Sequence, residues 1–252
     1  MIVKKSPQEV ELMRAGGKIT AQVLQKVLAA ARPGVTLLEL EELAVKETSR
    51  LDASPAFKRV EGYQFATCLN VNEGIVHGIP TKRVLVEGDL LSVDFGVYYK
   101  GFNTDASWTI YVGDERNASA KKLRLLRAGE LALDRAIGQA RSGNHIRDIS
   151  AAMQEVLERD GYAPVNSLVG HGVGKDLHED PQIPCLVIGG KGPEIAEGMT
   201  LAIEVIYTEG NPELEVAEDG WTIRTCDGSL SGLFEHSIAV TKDGPIILTK
   251  SG

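Results

Sequence analysis

Two carboxylates interrupt what otherwise reads as a pair of strands. In Leu90–Val112, LLSVDFGVYYKGFNTDASWTIYV, aromatic and β-branched residues flank a tight turn near Tyr99–Gly101. Asp94 sits between Val93 and Phe95, and Asp105 lies ahead of Trp108 and Ile110. A turn centred on Tyr99–Lys100 sets the two acids opposite each other. A turn one residue later makes them a diagonal pair, still within side-chain reach. Like charges that close repel, and each loses hydration when buried. Neither strand holds a Lys or Arg, so a metal cation is expected between the acids. The bland alternative is an exposed hairpin with two solvated acids.

The arrangement occurs twice. Ser92-Val93-Asp94-Phe95 is echoed by Ala202-Ile203-Glu204-Val205, and Asp105-Ala106-Ser107 by Glu235-His236-Ser237. His77-Gly78-Ile79 is echoed by His171-Gly172-Val173. Upstream, Met13-Arg14-Ala15-Gly16 leading into Pro33-Gly34 matches Leu126-Arg127-Ala128-Gly129 leading into Ser142-Gly143. Each half reads helix, helix, histidine strand, acid strand, acid strand, which points to a duplication. Convergent helix-strand patterning would not set an acid at both strand positions in both halves.

Asp94, Asp105, Glu204 and Glu235, with one or both of His77 and His171, form an oxygen-rich set. It suits Mn²⁺, Fe²⁺, Co²⁺ or Mg²⁺ better than a thiolate-rich structural zinc. The acids outnumber the charge of one catalytic cation, whereas two divalent ions roughly 3.5–4 Å apart balance them. Such a pair acidifies a bridging water and clamps a developing oxyanion. Calcium is the structural alternative, but its sites rarely use His and draw on one compact loop. Gly170 and Gly172 give His171 close backbone approach, and His178, within KDLHEDPQIP, begins an acidic, proline-ended loop beside it. His145 follows a turn Asn, and His236 alternates away from Glu235. No Ser/His/Asp order, Cys/His pairing or phosphate-cradling glycine motif competes.

These residues need a frame. Ser6-Pro7 followed by Glu9 predicts a helix start, and the helix runs through Val10, Met13, Ile19, Val23, Val27 and Leu28 to Pro33-Gly34. A second helix follows Thr36, a third spans roughly 118–140, and a fourth spans roughly 146–160, stopped by Gly161. Residues 55–70 read as a loop entering a strand, Asn70–Gly74 as a turn, and Ile75–Pro80 as extended. Strands are expected over 165–173, 184–189, 200–207, 221–226 and 233–241. The fold class is α+β: two pseudo-symmetric halves, roughly 1–115 and 116–252, share one curved antiparallel sheet. Helices cover its outer face, and the acids converge at the junction. Residues 1–252 are expected to form a single catalytic domain.

A chain of 252 residues, 43% hydrophobic and 25% charged, has the composition of an ordinary globular protein. Its net charge of −8 and lack of basic clusters argue against nucleic acid as a main partner. Cys68, Cys185 and Cys226 are scattered without metal-type spacing, as expected in a reducing cytoplasm. No apolar signal core or membrane-length stretch is evident, so a cytoplasmic location is expected.

At these residues the sequence resembles the type I methionine aminopeptidases of peptidase family M24, over nearly the whole chain. The supports are NVNEGIVHGIP, VDFG with TDASWT, GHGVG followed by HEDPQ, AIEV, and WTIRTCDGSLSGLFEHSIAVT. The resemblance implies the pita-bread fold and a dinuclear site made by Asp94, Asp105, His171, Glu204 and Glu235. It assigns catalytic parts to Glu204, His77 and His178, with His77 and His178 contacting substrate rather than metal. The implied reaction is hydrolytic removal of an N-terminal methionine ahead of a small second residue, by attack of a metal-bridged water. Its cofactors are two divalent ions (Co²⁺, Mn²⁺, Fe²⁺ or Zn²⁺), with an additional monovalent cation near Asn72 and Ser231. Its partners are a peptide or nascent-chain N-terminus and the ribosome, with no nucleic-acid motif and no membrane. The implied form is a monomer, without the helical insertion or cysteine-rich extension of other members.

For the methionine pocket, Tyr63, Cys68 and Trp221 match the family, with Phe57, Phe65 and Leu177 placed to close it. The sequence departs from the pattern at Gln64, where Pro is usual, and at Leu177, where an aromatic is common. Phe57 and Val60 replace the usual upstream Cys and Tyr. A proline-specific aminopeptidase on the same fold is the nearest rival reading. An inactive binding module is the other, and it predicts eroded ligands that are here intact.

Overall fold

Helix starts are written into the chain as reciprocal caps. In a computed structural model describing residues 1–250, four helices are formed: α1 (Pro7–Ala30), α2 (Leu37–Arg50), α3 (Ala120–Gln139) and α4 (Ile146–Arg159). Ser6 Oγ accepts from the Glu9 N–H at 3.3 Å, while the Glu9 carboxylate accepts from the Ser6 N–H at 2.9 Å. Thr36 and Glu39 repeat the device at 3.2 and 2.7 Å.

The strands are β1 (Ser54–Pro55), β2 (Thr67–Val71), β3 (Gly74–Val76), β4 (Leu90–Tyr99), β5 (Phe102–Tyr111), β6 (Ala163–Pro164) and β7 (Val169–Gly172). They continue as β8 (Glu179–Pro184), β9 (Thr200–Thr208), β10 (Leu214–Val216), β11 (Ile223–Thr225), β12 (Ser231–Thr241) and β13 (Gly244–Ile247). The main antiparallel sheet runs β1-β4-β5-β12-β9-β7-β8, with β2 also on β4, β6 on β9 and β13 on β12. α1 packs on β4 and β5, and α3 on β9 and β12.

Strand alternation explains which face does what. Val93, Phe95 and Val97 pack with Val23, Val27 and Leu40 of the helices, and Ile203 and Val205 pack with Leu125, Leu133 and Met153. The period of two then turns Asp94 and Glu204 to the opposite, helix-free face. Burial of each large apolar side chain contributes roughly 1.5–3 kcal/mol, which anchors this choice of face.

The two halves meet between β5 and β12, where the ladder holds only Glu235↔Ser107 and His236↔Ala106. Beyond these pairs the strands part, and hydroxyls fill the gap on both sides. Thr109 Oγ1 donates to Leu233 O at 2.8 Å and accepts from Leu233 N–H at 2.9 Å. Ser237 Oγ donates to Asp105 O and accepts from Asp105 N–H, both at 2.8 Å.

Several expectations need correction. Residues 179–184, read as loop, form β8, whereas 185–189 are not strand. Pro181 and Ile183 are buried while Asp180 and Gln182 are exposed, a strand alternation hidden by a proline that an edge strand tolerates. Asn70 and Val71 lie in β2, and the turn comes at Asn72, whose φ is 57°. The extended run from Ile75 stops at Val76, because His77 adopts a φ of 58°. A second, three-stranded sheet, β10-β11-β3, joins segments distant in sequence and was not foreseen.

The repeat is also out of register with its sequence echo. His171 pairs with Ala202, two residues before Glu204. The residue at the matching place in the first half is Asn70, which pairs with Ser92 two residues before Asp94. His77 lies beyond the end of β3 in the small sheet, so it is not the structural counterpart of His171.

Candidate active site

Five adjacent strands each bring one metal-type side chain to the helix-free face: Asp94 on β4, Asp105 on β5, Glu235 on β12, Glu204 on β9 and His171 on β7. Asp94 pairs with Ser107 and Asp105 with Gly96, so the two aspartates are the diagonal pair set by a turn at Lys100–Gly101. Lys100 and Gly101 both have positive φ, 47° and 95°, as a two-residue hairpin requires. Glu204 and Glu235, by contrast, stand directly opposite each other. Asp105, His171 and Glu235 offer ligand atoms within 4.8 Å of one another. His171 Nε2 lies 3.4 Å from Glu204 Oε1.

The electrostatics of this cluster call for positive charge. Burial pushes the Asp94 carboxyl up to about 7. Asp105, Glu204 and Glu235 are raised well above the ordinary carboxylate range, first by burial and then by one another and by Asp94. Burial lowers His171 to about 4, so its ring is neutral, and Nδ1 donates to Gly172 O at 2.8 Å. That bond leaves Nε2 free as a ligand. Asp94 Oδ1 and Glu235 Oε1 are buried without a hydrogen-bond partner among the described residues. Ser107 Oγ donates to the other Glu235 oxygen, Oε2, at 2.9 Å. Unmatched acceptors, hard oxygen donors and one neutral imidazole fit divalent metal ions.

A cavity of about 330 Å³ opens over these ligands, lined in part by His77, His178, Tyr63, Cys68, Leu177 and Trp221. His171 is buried, but His77 and His178 are exposed to the cavity. The His178 ring sits edge-on to His171 at 4.5 Å between centroids. Desolvation lowers both His77 and His178, with proximity to His178 adding to the effect at His77. Both rings are therefore neutral near pH 7, each with one donor and one acceptor nitrogen.

Tyr63 is buried and meets Trp221 edge-on at 5.1 Å, forming an aromatic wall. Phe57, Val60 and Cys68 extend it. Phe65 is not in the lining: it backs Tyr63 from outside at 5.8 Å. Asn72 and Ser231 do meet, and the Asn72 carbonyl accepts from the Ser231 N–H at 3.0 Å and Oγ at 3.1 Å. His145 occupies the N-cap of α4, and His236 lies tilted against Trp108 on the opposite face, away from the site.

Sequence reasoning missed Asn70 and Glu41. Asn70 Oδ1 accepts from the Gly78 N–H at 2.8 Å, beside His77. A Cβ on Gly78 would fall 2.3 Å from Leu69 O, so only glycine lets this backbone pack so closely. The overlooked signal for Glu41 was its position on the apolar stripe of α2, with Leu37, Leu40 and Ala44.

The model of metallopeptidase family M24 matches residues 11–242. Methionine aminopeptidase 1 of Bacillus subtilis is 39% identical over 250 residues, covering 99% of this chain and 100% of that protein. The crystal structure of methionine aminopeptidase from Thermotoga maritima superposes with a TM-score of 0.96 at 42% identity, covering all of both chains. A prolidase from Pyrococcus furiosus shares the pita-bread fold, at a TM-score of 0.80 and 21% identity over 99% of this chain and 66% of its own. The similarity spans nearly the full length, and the chain belongs to metallopeptidase family M24, among its methionine aminopeptidases.

Proposed function

We propose that this aminopeptidase removes the N-terminal methionine of peptides and nascent chains when the second residue is small. Asp94, Asp105, His171, Glu204 and Glu235 would hold two divalent ions, drawn from Co²⁺, Mn²⁺, Fe²⁺ or Zn²⁺. The observation that carries this reading is the pair of buried, unmatched carboxylate oxygens of Asp94 and Glu235 at the floor of an aromatic-walled cavity. A divalent pair bound there supplies a water acidic enough to attack near neutral pH and a clamp for developing negative charge.

The side chains complete the chemistry. The methionine side chain lies against Tyr63 and Trp221, with Cys68 as a soft edge. Glu204 takes a proton from the attacking water and returns it to the leaving amine. His178 donates a hydrogen bond to the scissile carbonyl oxygen as it gains charge. His77 accepts from the amide N–H beyond the scissile bond, which fixes the register of the peptide. Both roles need neutral rings, and desolvation keeps them so.

Residues 1–252 act as one catalytic domain. The carbonyls of Asn72 and Gly74, which converge on Ser231 Oγ, supply donors for a monovalent cation that rigidifies the turn. We further propose a cytoplasmic location, which the three free cysteines favour, and a monomer that meets nascent chains near the ribosome.

The test is a panel of X-Ala-Ser peptides after metal reconstitution. Met is expected to lead. Norleucine is expected to follow within about tenfold, because apolar pockets separate near-isosteres by only about 1–3 kcal/mol and Leu177 leaves room. Preference for Pro- or Lys-initiated peptides would overturn the reading.

A further inference from the structure

Glu41 is a carboxylate on the buried side of its helix. It is 7% exposed, on the same stripe as Leu37, Leu40 and Ala44, and it is not among the residues lining the metal cavity. Its Oε1 accepts from the Ala66 N–H at 2.7 Å, and its Oε2 accepts from the Thr67 N–H at 2.9 Å and the Thr67 hydroxyl at 2.8 Å. A buried carboxylate is costly unless its lone pairs are met, and here three donors of one dipeptide meet them.

That dipeptide lies between the two parts of the pocket wall. Tyr63 precedes it and Cys68 follows it. Tyr63 Oη donates to Thr67 O at 2.8 Å. A chain of hydrogen bonds thus runs from the outer helix α2 through Thr67 to the aromatic ring that faces Trp221. Gly78, beside His77, is held by the Leu69 N–H and by Asn70 Oδ1, each at 2.8 Å, and Tyr63 Oη reaches its carbonyl only at a longer 3.3 Å. Loosening the Glu41 chain therefore shifts the wall first, while the two shorter bonds to Gly78 hold the backbone beside His77.

We propose that Glu41 is a positioning residue that sets the methionine selectivity of the pocket, by clasping the Ala66-Thr67 backbone against which Tyr63 is fixed. The proposal rests on the pocket reading given above. It requires no contact between Glu41 and substrate.

The experiment compares Met-Ala-Ser, norleucine-Ala-Ser and Leu-Ala-Ser on metal-loaded wild type, Glu41→Gln and Thr67→Val. Glutamine keeps the shape but turns an NH₂ toward one of the donors, leaving that donor unmet. For Glu41→Gln, KM for the Met peptide is expected to rise with kcat within about twofold. The Met-to-Leu ratio of kcat/KM is expected to fall about tenfold, with bound metal unchanged. Thr67→Val removes only the hydroxyl and should move the ratio the same way by less. A purely structural carboxylate would lower thermal stability and the active fraction equally for every peptide. Wild-type ratios in both variants, or in Thr67→Val alone if Glu41→Gln does not fold, would overturn the proposal. A wild type without preference for Met overturns the pocket reading and this proposal together, which separates the two failures.

Discussion

Asn70 and His171 occupy matching places in the two halves, on strands that flank the Asp94 and Glu204 strands with the same register. Their work differs. His171 turns a free Nε2 toward Glu204, whereas Asn70 reaches for the backbone of Gly78. The second half brings a histidine and two directly opposed acids to the floor of the cavity. The first half brings two diagonal acids and, through Asn70, supports the backbone beside the cavity-lining His77. The same register position thus turns an imidazole nitrogen toward the acids in one half and an amide oxygen toward the backbone beside His77 in the other.

The comparison is broken or sharpened by substitution on each side of it. The largest effects belong to the floor: Asp105→Asn and His171→Ala are expected to lose activity below detection and to lose bound metal, read by elemental analysis of folded protein. Wild-type turnover and metal content in Asp105→Asn would sink the dinuclear reading. Next come the cavity-facing rings. His77→Ala and His178→Ala are expected to lower kcat by a factor on the order of 10²–10⁴ with metal retained. Metal loss in His77→Ala as severe as in His171→Ala would restore the symmetric pairing that the strand register excludes. Smaller still, Asn70→Ala should lower kcat about tenfold, the usual scale for a supporting contact, without changing metal content.

The smallest effect is a dependence on pH. Asp94 titrates at about 7 in the folded, metal-free chain, against an ordinary 3.8, so folding without metal retains a proton that the unfolded chain releases. Metal-free stability therefore falls as pH rises from about 4 to about 7, and metal removes this loss. His236, on the other face of β12, is lowered by burial to about 4 from 6.5. Its contribution has the opposite sign: it is complete above pH 6.5 and is lost as pH falls toward 4, with or without metal. Calorimetry at about pH 5 and about pH 7.5 should find the Tm gap between metal-loaded and metal-free protein wider at the higher pH, by a few degrees. A narrower gap would contradict the assignment.

Much of this was legible in the chain because it is local. Ser6 with Glu9 and Thr36 with Glu39 announce helix starts within four residues, and Asp94 between Val93 and Phe95 announces an acid on the wrong side of an apolar alternation. What could not be read depends on register or on distant partners. His77-Gly78 and His171-Gly172 share letters, but the turn at Asn72 and the positive φ of His77 carry the first pair out of the sheet. The strand Gly74–Val76 is three residues long and gains its identity from Ile223 and Arg224, far along the chain. Glu41 sits on the apolar stripe of α2, but its three donors come from Ala66 and from Thr67 at the start of β2, some 25 residues on, which no helical pattern reveals.

The narrow seam between β5 and β12 has a consequence for how the enzyme comes into being. Two ladder pairs and a few hydroxyls join β5 to β12, the small sheet pairs β3 with β11 across the same divide, and the connection 112–119 ties the halves in sequence. Neither portion owns a complete ligand set. The molecule is in effect a fused dimer whose active centre exists only where its portions dock. Damage at Thr109 or Ser237 would therefore act as an assembly defect, silencing the enzyme while every ligand remains in the chain.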